Sequence, residues 1–407
     1  MPIVPLLRAL AHRKTGVVLI AAQIALSVAI LANSLSIVQQ RQRLMERPTG
    51  LDEANIFTMT NQFSGTMADL SARIKGDLAL LRAIPGVVNA TAVQSFPLRG
   101  YGRSTSVTRR ADDRDNAFNA GWYALPPDGM DAWGIRLVAG QNFNADEVRD
   151  YLIGFKNPDP PVVIVSRALA DRLFPRGDAL GQSIYMGGAD PSRIVGIVER
   201  AQTAWAAQSS GPGPYGPEES VLLPFQWVSP IVAYVVRTAP GKSDALLAVA
   251  QQRLFALSRA RIISEAQTFS QTRADRYRSN LAMALVLKVV CALLLAVTAF
   301  GVIALTTNWV SQQRRYIGMR RAVGARRIDI VQYFQFENLL IAGIGASVGV
   351  ALGMAGNVWL ATALEITRMG IGYLSAAAVI VLLLSQAAVL LPALRAAALP
   401  PVAAIRQ

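Results

Sequence analysis

The stretch that decides the fold runs from residue 312 to residue 353 and reads QQRRYIGMRRAVGARRIDIVQYFQFENLLIAGIGASVGVALG. Its first half contains six arginines among a few apolar positions: Arg314, Arg315, Arg320, Arg321, Arg326 and Arg327. Its second half is almost entirely apolar and has glycines four residues apart, at Gly345, Gly349 and Gly353. A basic amphipathic segment lies at a membrane surface, and glycines at this spacing let two helices pack closely in lipid. The stretch therefore predicts a membrane protein with a docking surface on its aqueous side.

Four apolar segments account for a chain that is 52% hydrophobic and only 16% charged. Each is long enough to cross a hydrocarbon core of about 30 Å, and they occupy residues 17–38, 281–309, 331–361 and 373–394. The first exceeds the apolar core of a cleaved signal peptide, so we expect a retained helix. We predict an α-helical membrane protein with four transmembrane helices. Between the first and second of them, residues 39–280 form an inserted α/β (α+β) domain outside the cytoplasm.

The excess positive charge is concentrated in the short segments beside the apolar helices. The chain has a formal net charge of +14. Residues 1–15, 310–330 and 392–407 together hold eleven Lys and Arg against one acid, whereas 39–279 hold 27 against 23. This is the pattern of a cytoplasmic membrane face rather than of a nucleic-acid surface. We therefore expect no nucleic-acid partner. The N-terminus (1–16), the loop 310–330 and the C-terminus (395–407) are predicted to be cytoplasmic, and the short loop 362–372 to lie on the other side.

The chain contains one cysteine, Cys291, and one histidine, His12. No internal disulfide can form, and a cluster of histidines around a metal is excluded by the count. A Ser-His-Asp site would depend on His12 alone. The acids Asp112, Asp113 and Asp115 lie beside arginines, and a solvated loop explains them better than a metal site does. We expect no metal site and no catalytic residue.

Residues 39–279 alternate short apolar runs with Pro, Gly, Asp and Asn, as globular α/β domains do. The pattern predicts helices over 68–83 and 243–257, a third helix capped by Ser166, and Ser243 as an N-cap. It predicts strands at 162–165, 193–199, 221–224 and 231–237, and a surface loop over 201–219. Residues 266–280 are predicted to be helical and continuous with the second membrane helix. Gln39 to Glu46 extend the first helix likewise, so that both helices rise as a stalk toward the domain.

Polar residues inside the apolar segments have two possible interpretations. Gln23, Ser27, Asn33 and Ser34 are candidates for hydrogen bonds between helices, or for substrate contacts. Glu337, near the inner end of the third helix, is a proton relay or is held by the nearby arginines.

One tripeptide, Gly241-Lys242-Ser243, imitates the end of a phosphate-binding loop. The full pattern requires a glycine where this chain has Val236. We therefore expect no cofactor on this chain, so that any ATPase that works with it must be a separate polypeptide.

Five motifs are distinctive: RRYIGMRRAVGARR from Arg314, FQFENLL from Phe334, PALRAA from Pro392, WGIRLVAGQNF from Trp133 and VVIVSRALADRLFP from Val162. Together they resemble the FtsX-like permease domain and the periplasmic core domain of MacB-type ABC transporters. The resemblance implies a multi-pass protein of the bacterial inner membrane, with a periplasmic core domain and both termini in the cytoplasm.

The resemblance also implies a mechanism. In that family the arginine loop carries a coupling helix that rests on a separate ATPase subunit, and motion passes to the periplasmic domains and drives efflux. The positions that match are Arg314, Arg315, Ile317, Gly318, Met319, Arg320, Arg321, Gly324, Ala325 and Arg326. The alternative interpretation is that these arginines bind only anionic lipid. Gly345, Gly349 and Gly353 are expected to bring a neighbouring helix close, either of this chain or of a second subunit.

The resemblance implies partners and leaves an alternative open. The chain is expected to be a non-catalytic subunit without a fused ATPase domain, paired with a second copy or with a similar permease. A periplasmic adaptor and an outer-membrane channel are expected partners for export. The alternative is a transmitter that activates a cell-wall hydrolase or extracts lipoproteins.

Overall fold

The computed structural model describes residues 14–64, 69–113, 115, 117–153, 155, 157–205, 215–364 and 369–398. The chain divides into two compact units. One is formed by Leu44–Ser279 and is called here the α/β domain. The other combines Met1–Arg43 with Asn280–Gln407 and is called the helical unit.

The elements follow one another along the described chain, apart from two short 3₁₀ turns, as follows: α1 (Lys14–Glu46), β1 (Ile56–Phe63), α2 (Leu70–Arg82), β2 (Val87–Val93), β3 (Arg103–Val107), β4 (Phe118–Ala124), α3 (Pro127–Trp133), β5 (Leu137–Gly140), β6 (Arg149–Leu152), β7 (Val162–Ser166), α4 (Arg167–Leu173), β8 (Ser183–Ile184), β9 (Ser192–Val198), β10 (Tyr215–Leu223), β11 (Phe225–Val228), β12 (Ile231–Thr238), α5 (Ser243–Leu257), β13 (Arg261–Thr268), α6 (Phe269–Gln312), α7 (Arg314–Ala322), α8 (Arg327–Leu364) and α9 (Ile371–Ala398).

Four helices, α1, α6, α8 and α9, are long and apolar enough to cross a membrane. This confirms the predicted fold class, with the α/β domain between the first and second of them. α6 has 44 residues and is therefore about 66 Å long, about twice a hydrocarbon core. α1 continues to Glu46 as predicted. The expectation that α6 begins at residue 266 is wrong, because residues up to Thr268 pair with β1 as strand β13.

Polar side chains join α1 to α6 inside the helical unit. The Ser27 Oγ and Thr298 Oγ1 hydroxyls are 2.7 Å apart, and Gln23 Nε2 donates to the Val297 carbonyl at 3.0 Å. Arg41 Nη1 donates to Asn280 Oδ1 at 2.6 Å. From the Ser27–Thr298 pair to the Arg41–Asn280 pair the residue number rises along α1 and falls along α6, so the two helices are antiparallel. The predicted interhelical hydrogen bonds are confirmed for Gln23 and Ser27.

α8 and α9 are joined in the same manner. Gln335 Nε2 donates to the Gln386 carbonyl at 3.1 Å, and Asn338 Nδ2 donates to Ser385 Oγ at 3.1 Å. Glu337 lies next to Asn338 and is buried. The N-terminal third of α8 therefore has polar contacts with α9.

The α/β domain contains two main sheets. The four-stranded sheet has the order β13-β1-β12-β2 and is antiparallel throughout. The seven-stranded sheet has the order β3-β4-β10-β7-β9-β5, and β8 pairs with β9. A further parallel pair joins β11 to β6. The chain passes from the four-stranded to the seven-stranded sheet through the loop 94–102, between β2 and β3.

Both faces of the four-stranded sheet are buried. Successive side chains along a strand point to opposite faces, so each strand contributes to two cores. In β12, Val232, Tyr234 and Val236 face a core shared with α2 and α5. Ala233 and Val235 face the opposite core, which contains residues of α3 and the start of α6. Two-sided burial explains why this strand reads as an almost continuous apolar run.

An ion pair lies inside the first of these cores. Arg261 donates from Nη1 and Nη2 to the two carboxylate oxygens of Asp77, at 2.8 and 3.0 Å. The Tyr234 hydroxyl donates to the same carboxylate at 2.6 Å, and its burial raises its pKa well above the usual value. A buried pair is tolerated when its remaining hydrogen-bonding positions are satisfied, and Arg261 Nε also donates to the Ser258 carbonyl.

Most predicted elements of the domain are confirmed to within about two residues, including the Ser166 cap, whose Oγ accepts from Leu169 N. Two predictions are wrong. Residues 215–219 are not loop but the start of β10, which pairs with β4 around a register shift that accommodates Gly216 and Pro217. Ser243 is not the N-cap: Lys242 takes that position, and Ser243 Oγ donates instead to the Ala54 carbonyl.

Candidate functional site

The arginine-rich segment folds as α7, a nine-residue helix between α6 and α8. At its start a single residue, Gln313, follows α6, and its carbonyl accepts from Ile317 N at 2.9 Å. At its end the N–H of Ala325 donates to the Arg320 carbonyl and that of Gly324 to the Arg321 carbonyl, both at 3.1 Å. These two bonds form a Schellman motif, with Gly324 in the left-handed region at φ +103°. The segment is therefore a separate helix that stops sharply at Gly324.

The next helix starts with an acidic cap. Arg326 precedes α8, and its backbone N–H donates to the Asp329 carboxylate at 2.8 Å. An acid in the first turn satisfies one of the free N–H groups and complements the positive end of the helix. Asp329, the one acid in the 310–330 segment, thus has a local structural role.

α7 has one buried and one exposed face. Ile317 is only 4% exposed, and Gly318 is buried beside it. Met319 is 57% exposed and Val323, one turn later, is 86% exposed. Ile328, at the start of α8, is exposed as well. Large apolar side chains at the end of α7 and the start of α8 are therefore exposed.

Exposed arginines occur in the same segment. Arg314, Arg320 and Arg326 are exposed, while Arg321 and Ala325 are half-buried. The Arg320 guanidinium lies over the Tyr333 ring, 5.4 Å from its centroid, which orients it as a cation–π contact. The side chain of Arg315 lies outside what the structure describes. We call Met319, Val323, Ile328 and the exposed arginines around them the α7 surface.

The predicted site residues thus separate into two groups. Ile317 and Gly318 lie on the buried face and anchor α7, whereas Met319 and the exposed arginines lie on the open face. Val323 and Ile328 were not singled out from the sequence. The four-residue spacing of Met319 and Val323 is the signal that would have revealed a shared face.

The glycines of α8 pack against α1 of the same chain. A Cβ atom added at Gly345 would lie 2.7 Å from the Ala21 carbonyl oxygen, and one at Gly349 would lie 2.6 Å from that of Ala25. A Cβ at Gly353 would lie 3.4 Å from Ala29 Cα and 2.9 Å from Leu374 Cδ2. Glycines at 345, 349 and 353 therefore meet alanines at 21, 25 and 29.

The same series continues with asparagines. Asn33 Nδ2 donates to the Gly353 carbonyl at 3.3 Å, and Asn357 Nδ2 donates to Asn33 Oδ1 at 3.5 Å. The numbers increase together along α1 and α8, so these helices are parallel. Small residues bring the backbones together and the asparagines close the contact, as expected for helices in lipid. This confirms the predicted interhelical hydrogen bond of Asn33.

The ends of α1 and α6 are joined inside the α/β domain. Arg273 of α6 donates from Nη2 to the carbonyls of Met45 and Arg47, where α1 ends, and from Nη1 to both carboxylate oxygens of Glu53 at 2.7 Å. The Tyr277 hydroxyl donates to the Leu44 carbonyl at 3.1 Å. A guanidinium at a helix C-terminus satisfies carbonyls that lack partners within the helix. The two helices thus enter the domain as a linked pair.

The arrangement defines a class of protein. Four membrane-length helices, a large α/β domain inserted after the first, and a short basic helix between the second and third make up the permease part of an ABC transporter. The family profile described as "MacB-like periplasmic core domain" matches residues 17–253, and the profile described as "FtsX-like permease C-terminal" matches residues 288–401. The chain belongs to this family of MacB-like and FtsX-like permeases.

Individual relatives are distant. The chain is 28% identical over 269 residues to the "Macrolide export ATP-binding/permease protein MacB" of Chromobacterium violaceum. The matched region covers 63% of this chain and 39% of that protein. It is 25% identical over 338 residues to the protein of the same name from Shigella boydii serotype 4, covering 81% of this chain and 48% of that protein. The chain thus spans less than half the length of these relatives.

A solved structure, the periplasmic region of MacB from Actinobacillus actinomycetemcomitans, is 16% identical to this chain. It has a TM-score of 0.35 and covers 57% of this chain and 97% of that one.

Proposed function

We propose that this chain is the permease subunit of a MacB-type ABC transporter. It transmits the ATP-driven motion of a separate ATPase subunit through α1 and α6 to the α/β domain, and this motion drives export of a substrate from the periplasm. The observation that carries the proposal is the α7 surface, where exposed apolar side chains and exposed arginines occur together on and just after a short helix that ends in a Schellman motif.

The α7 surface has the composition of a docking site. Burying apolar area against a partner is worth about 25 cal/mol per Å², and Met319 and Val323 are both largely exposed. Arginine is among the residues enriched at the centres of protein interfaces, where its fork pairs with carboxylates. The fitting partner has an apolar groove with acidic edges. The buried side chain of Ile317 holds α7 to the helical unit, so that a force on α7 reaches α6 and α8.

The charge distribution supports a cytoplasmic position for α7 and both termini, and a periplasmic position for the α/β domain, in a bacterial inner membrane. ATP and Mg²⁺ belong on the partner ATPase in this scheme. A second copy of the chain or a similar permease completes the transporter. A periplasmic adaptor and an outer-membrane channel carry the substrate onward.

The proposal is tested by purifying the full chain in mild detergent and identifying the ATPase that accompanies it, with ATP hydrolysis measured on the complex. R320E/R321E and V323D are each expected to abolish the association while membrane insertion is retained. R395E is the matched control, because Arg395 is an exposed arginine on α9. It is expected to retain the ATPase.

Unchanged association in R320E/R321E and V323D counts against docking at α7. Equal loss in R395E indicates general charge attraction instead. Capture of a cell-wall hydrolase or of acylated proteins by the α/β domain, in place of an adaptor, selects the alternative of hydrolase activation or lipoprotein extraction.

A further inference from the structure

The strand β13 passes directly into the long helix α6: β13 ends at Thr268 and α6 begins at Phe269. One loop of the α/β domain, the loop 94–102, contacts both sides of this junction. It meets Arg276 in α6 and Glu265 in β13. A rotation or axial shift of α6 therefore acts on this loop directly.

Arg276 binds the loop through its backbone. Arg276 Nε donates to the Leu98 carbonyl at 2.8 Å, and Nη2 donates to the Arg99 carbonyl. Gly100 follows with φ +92°, and a Cβ atom there would lie 2.5 Å from Arg276 Cζ. Position 100 thus favours glycine for its backbone conformation, and a side chain there would displace the guanidinium from its place.

The loop is held in a strained conformation. Leu98 has φ +66°, which is rare for a side chain branched like leucine, and its side chain is completely buried. Such a conformation persists only when the surroundings enforce it. The fork of Arg276 on the two successive carbonyls is the contact that enforces it from α6.

Arg99 links the loop to strands β1 and β13. Its buried guanidinium donates to Thr60 Oγ1 at 2.6 Å and to the Gln94 carbonyl at 2.8 Å, and lies 3.4 Å from Glu265 Oε2. Glu265 also has a positive φ, +49°, at the point where the register of β13 and β1 shifts. The two positive-φ residues other than glycine in the described chain, Leu98 and Glu265, are thus linked through Arg99.

The loop also connects the two sheets. It begins after β2 of the four-stranded sheet and ends at β3 of the seven-stranded sheet. Within the loop the N–H of Gly100 donates to the Ala204 carbonyl at 2.7 Å. A change in the backbone at Leu98 or Gly100 therefore changes the path by which one sheet is joined to the other.

We propose that Arg276 is the positioning residue through which α6 controls the arrangement of the two sheets, by holding the loop 94–102 in its strained conformation. The inference rests on the proposed function, because it identifies where motion carried by α6 enters the α/β domain. A shift of α6 that withdraws Arg276 frees Leu98 from the left-handed region, and the connection between the sheets relaxes.

The first test uses the full chain in lipid nanodiscs. R276M removes the donors and retains most of the side-chain length, and R276K retains the charge without the fork. The control is R278M, since Arg278 lies two residues further along α6 with its side chain 80% exposed. Hydrogen exchange at the Gly100 amide is expected to rise at least about tenfold in R276M, equivalent to about 1.4 kcal/mol, and less in R276K. It is expected to stay unchanged in R278M.

The second test separates control of the sheets from simple stabilisation. Spin labels at I262C in β13 and S104C in β3, with C291A, report the distance between the two sheets in the complex with the captured ATPase. In the otherwise unaltered chain this distance is expected to change between the nucleotide-free and the ATP-vanadate states. In R276M the change is expected to be lost while ATP hydrolysis continues.

The outcomes distinguish the two proposals. Unaltered Gly100 exchange in R276M, or a distance change that persists in R276M, overturns the assignment of Arg276 and leaves the proposed function standing. A distance that does not respond to nucleotide even with Arg276 present overturns transmission itself. If R276M does not fold, R276K with its retained charge supplies the same comparison.

Discussion

Replacing Gly349 with alanine is expected to push α1 and α8 apart. The added Cβ would lie 2.6 Å from the Ala25 carbonyl oxygen and 2.8 Å from Val28 Cβ. Ordinary contacts of this kind lie at about 3.5 Å, so the helices must separate by several tenths of an ångström. The nearest neighbour is backbone and cannot rotate away. Overpacking of this kind costs about 1–3 kcal/mol.

Two other glycines of α8 provide matched controls. Gly343 and Gly356 have no atom within 4 Å of an added Cβ. Alanine at either position is expected to be neutral or to stabilise by up to about 1 kcal/mol, because glycine is the poorer helix former.

The assay is thermal unfolding of the purified full chain in detergent, where about 2–4 °C corresponds to 1 kcal/mol. G349A should unfold at a lower temperature than the unsubstituted chain, and G343A and G356A should not. If G349A unfolds together with the two controls, the close contact between α1 and α8 does not exist.

Two further predictions concern the α/β domain. D77L leaves Arg261 buried without its carboxylate and should destabilise the domain by about 3–5 kcal/mol, whereas D77L/R261M should recover most of the loss. Urea unfolding measures both variants, and equal stability of the single and the double variant would contradict this prediction. Burial, and then the nearby Asp190 charge, raise the pKa of Asp159, so its ionised form is disfavoured in the folded state. D159N should therefore stabilise the domain near pH 7 by less than about 1 kcal/mol, and the gain should vanish below about pH 3.9, where the carboxyl is protonated whether the chain is folded or not. A gain that is independent of pH would exclude this cause.

Much of the helical unit could be predicted because its signals are local. A run of about 20 apolar residues has few alternatives to a membrane helix, and the arginines between two such runs indicate a surface segment whatever the rest of the chain does. The same holds for the alternating strands and for the Ser166 cap. The errors at residues 215–219 and at Ser243 arose where contacts with β4 and Ala54 outweighed local preference.

The sequence by itself determined that this chain has four membrane-length helices, a large α/β domain after the first, and a basic segment between the second and third. The tertiary structure alone decided which helix meets the glycines of α8, because Ala21, Ala25 and Ala29 carry no mark of their partner. It also decided that Ile317 is buried while Val323 is exposed. It brought Arg99, Glu265 and Arg276 together around one strained loop. Contacts between residues more than a hundred positions apart depend on the path of the whole chain, and no local pattern records them.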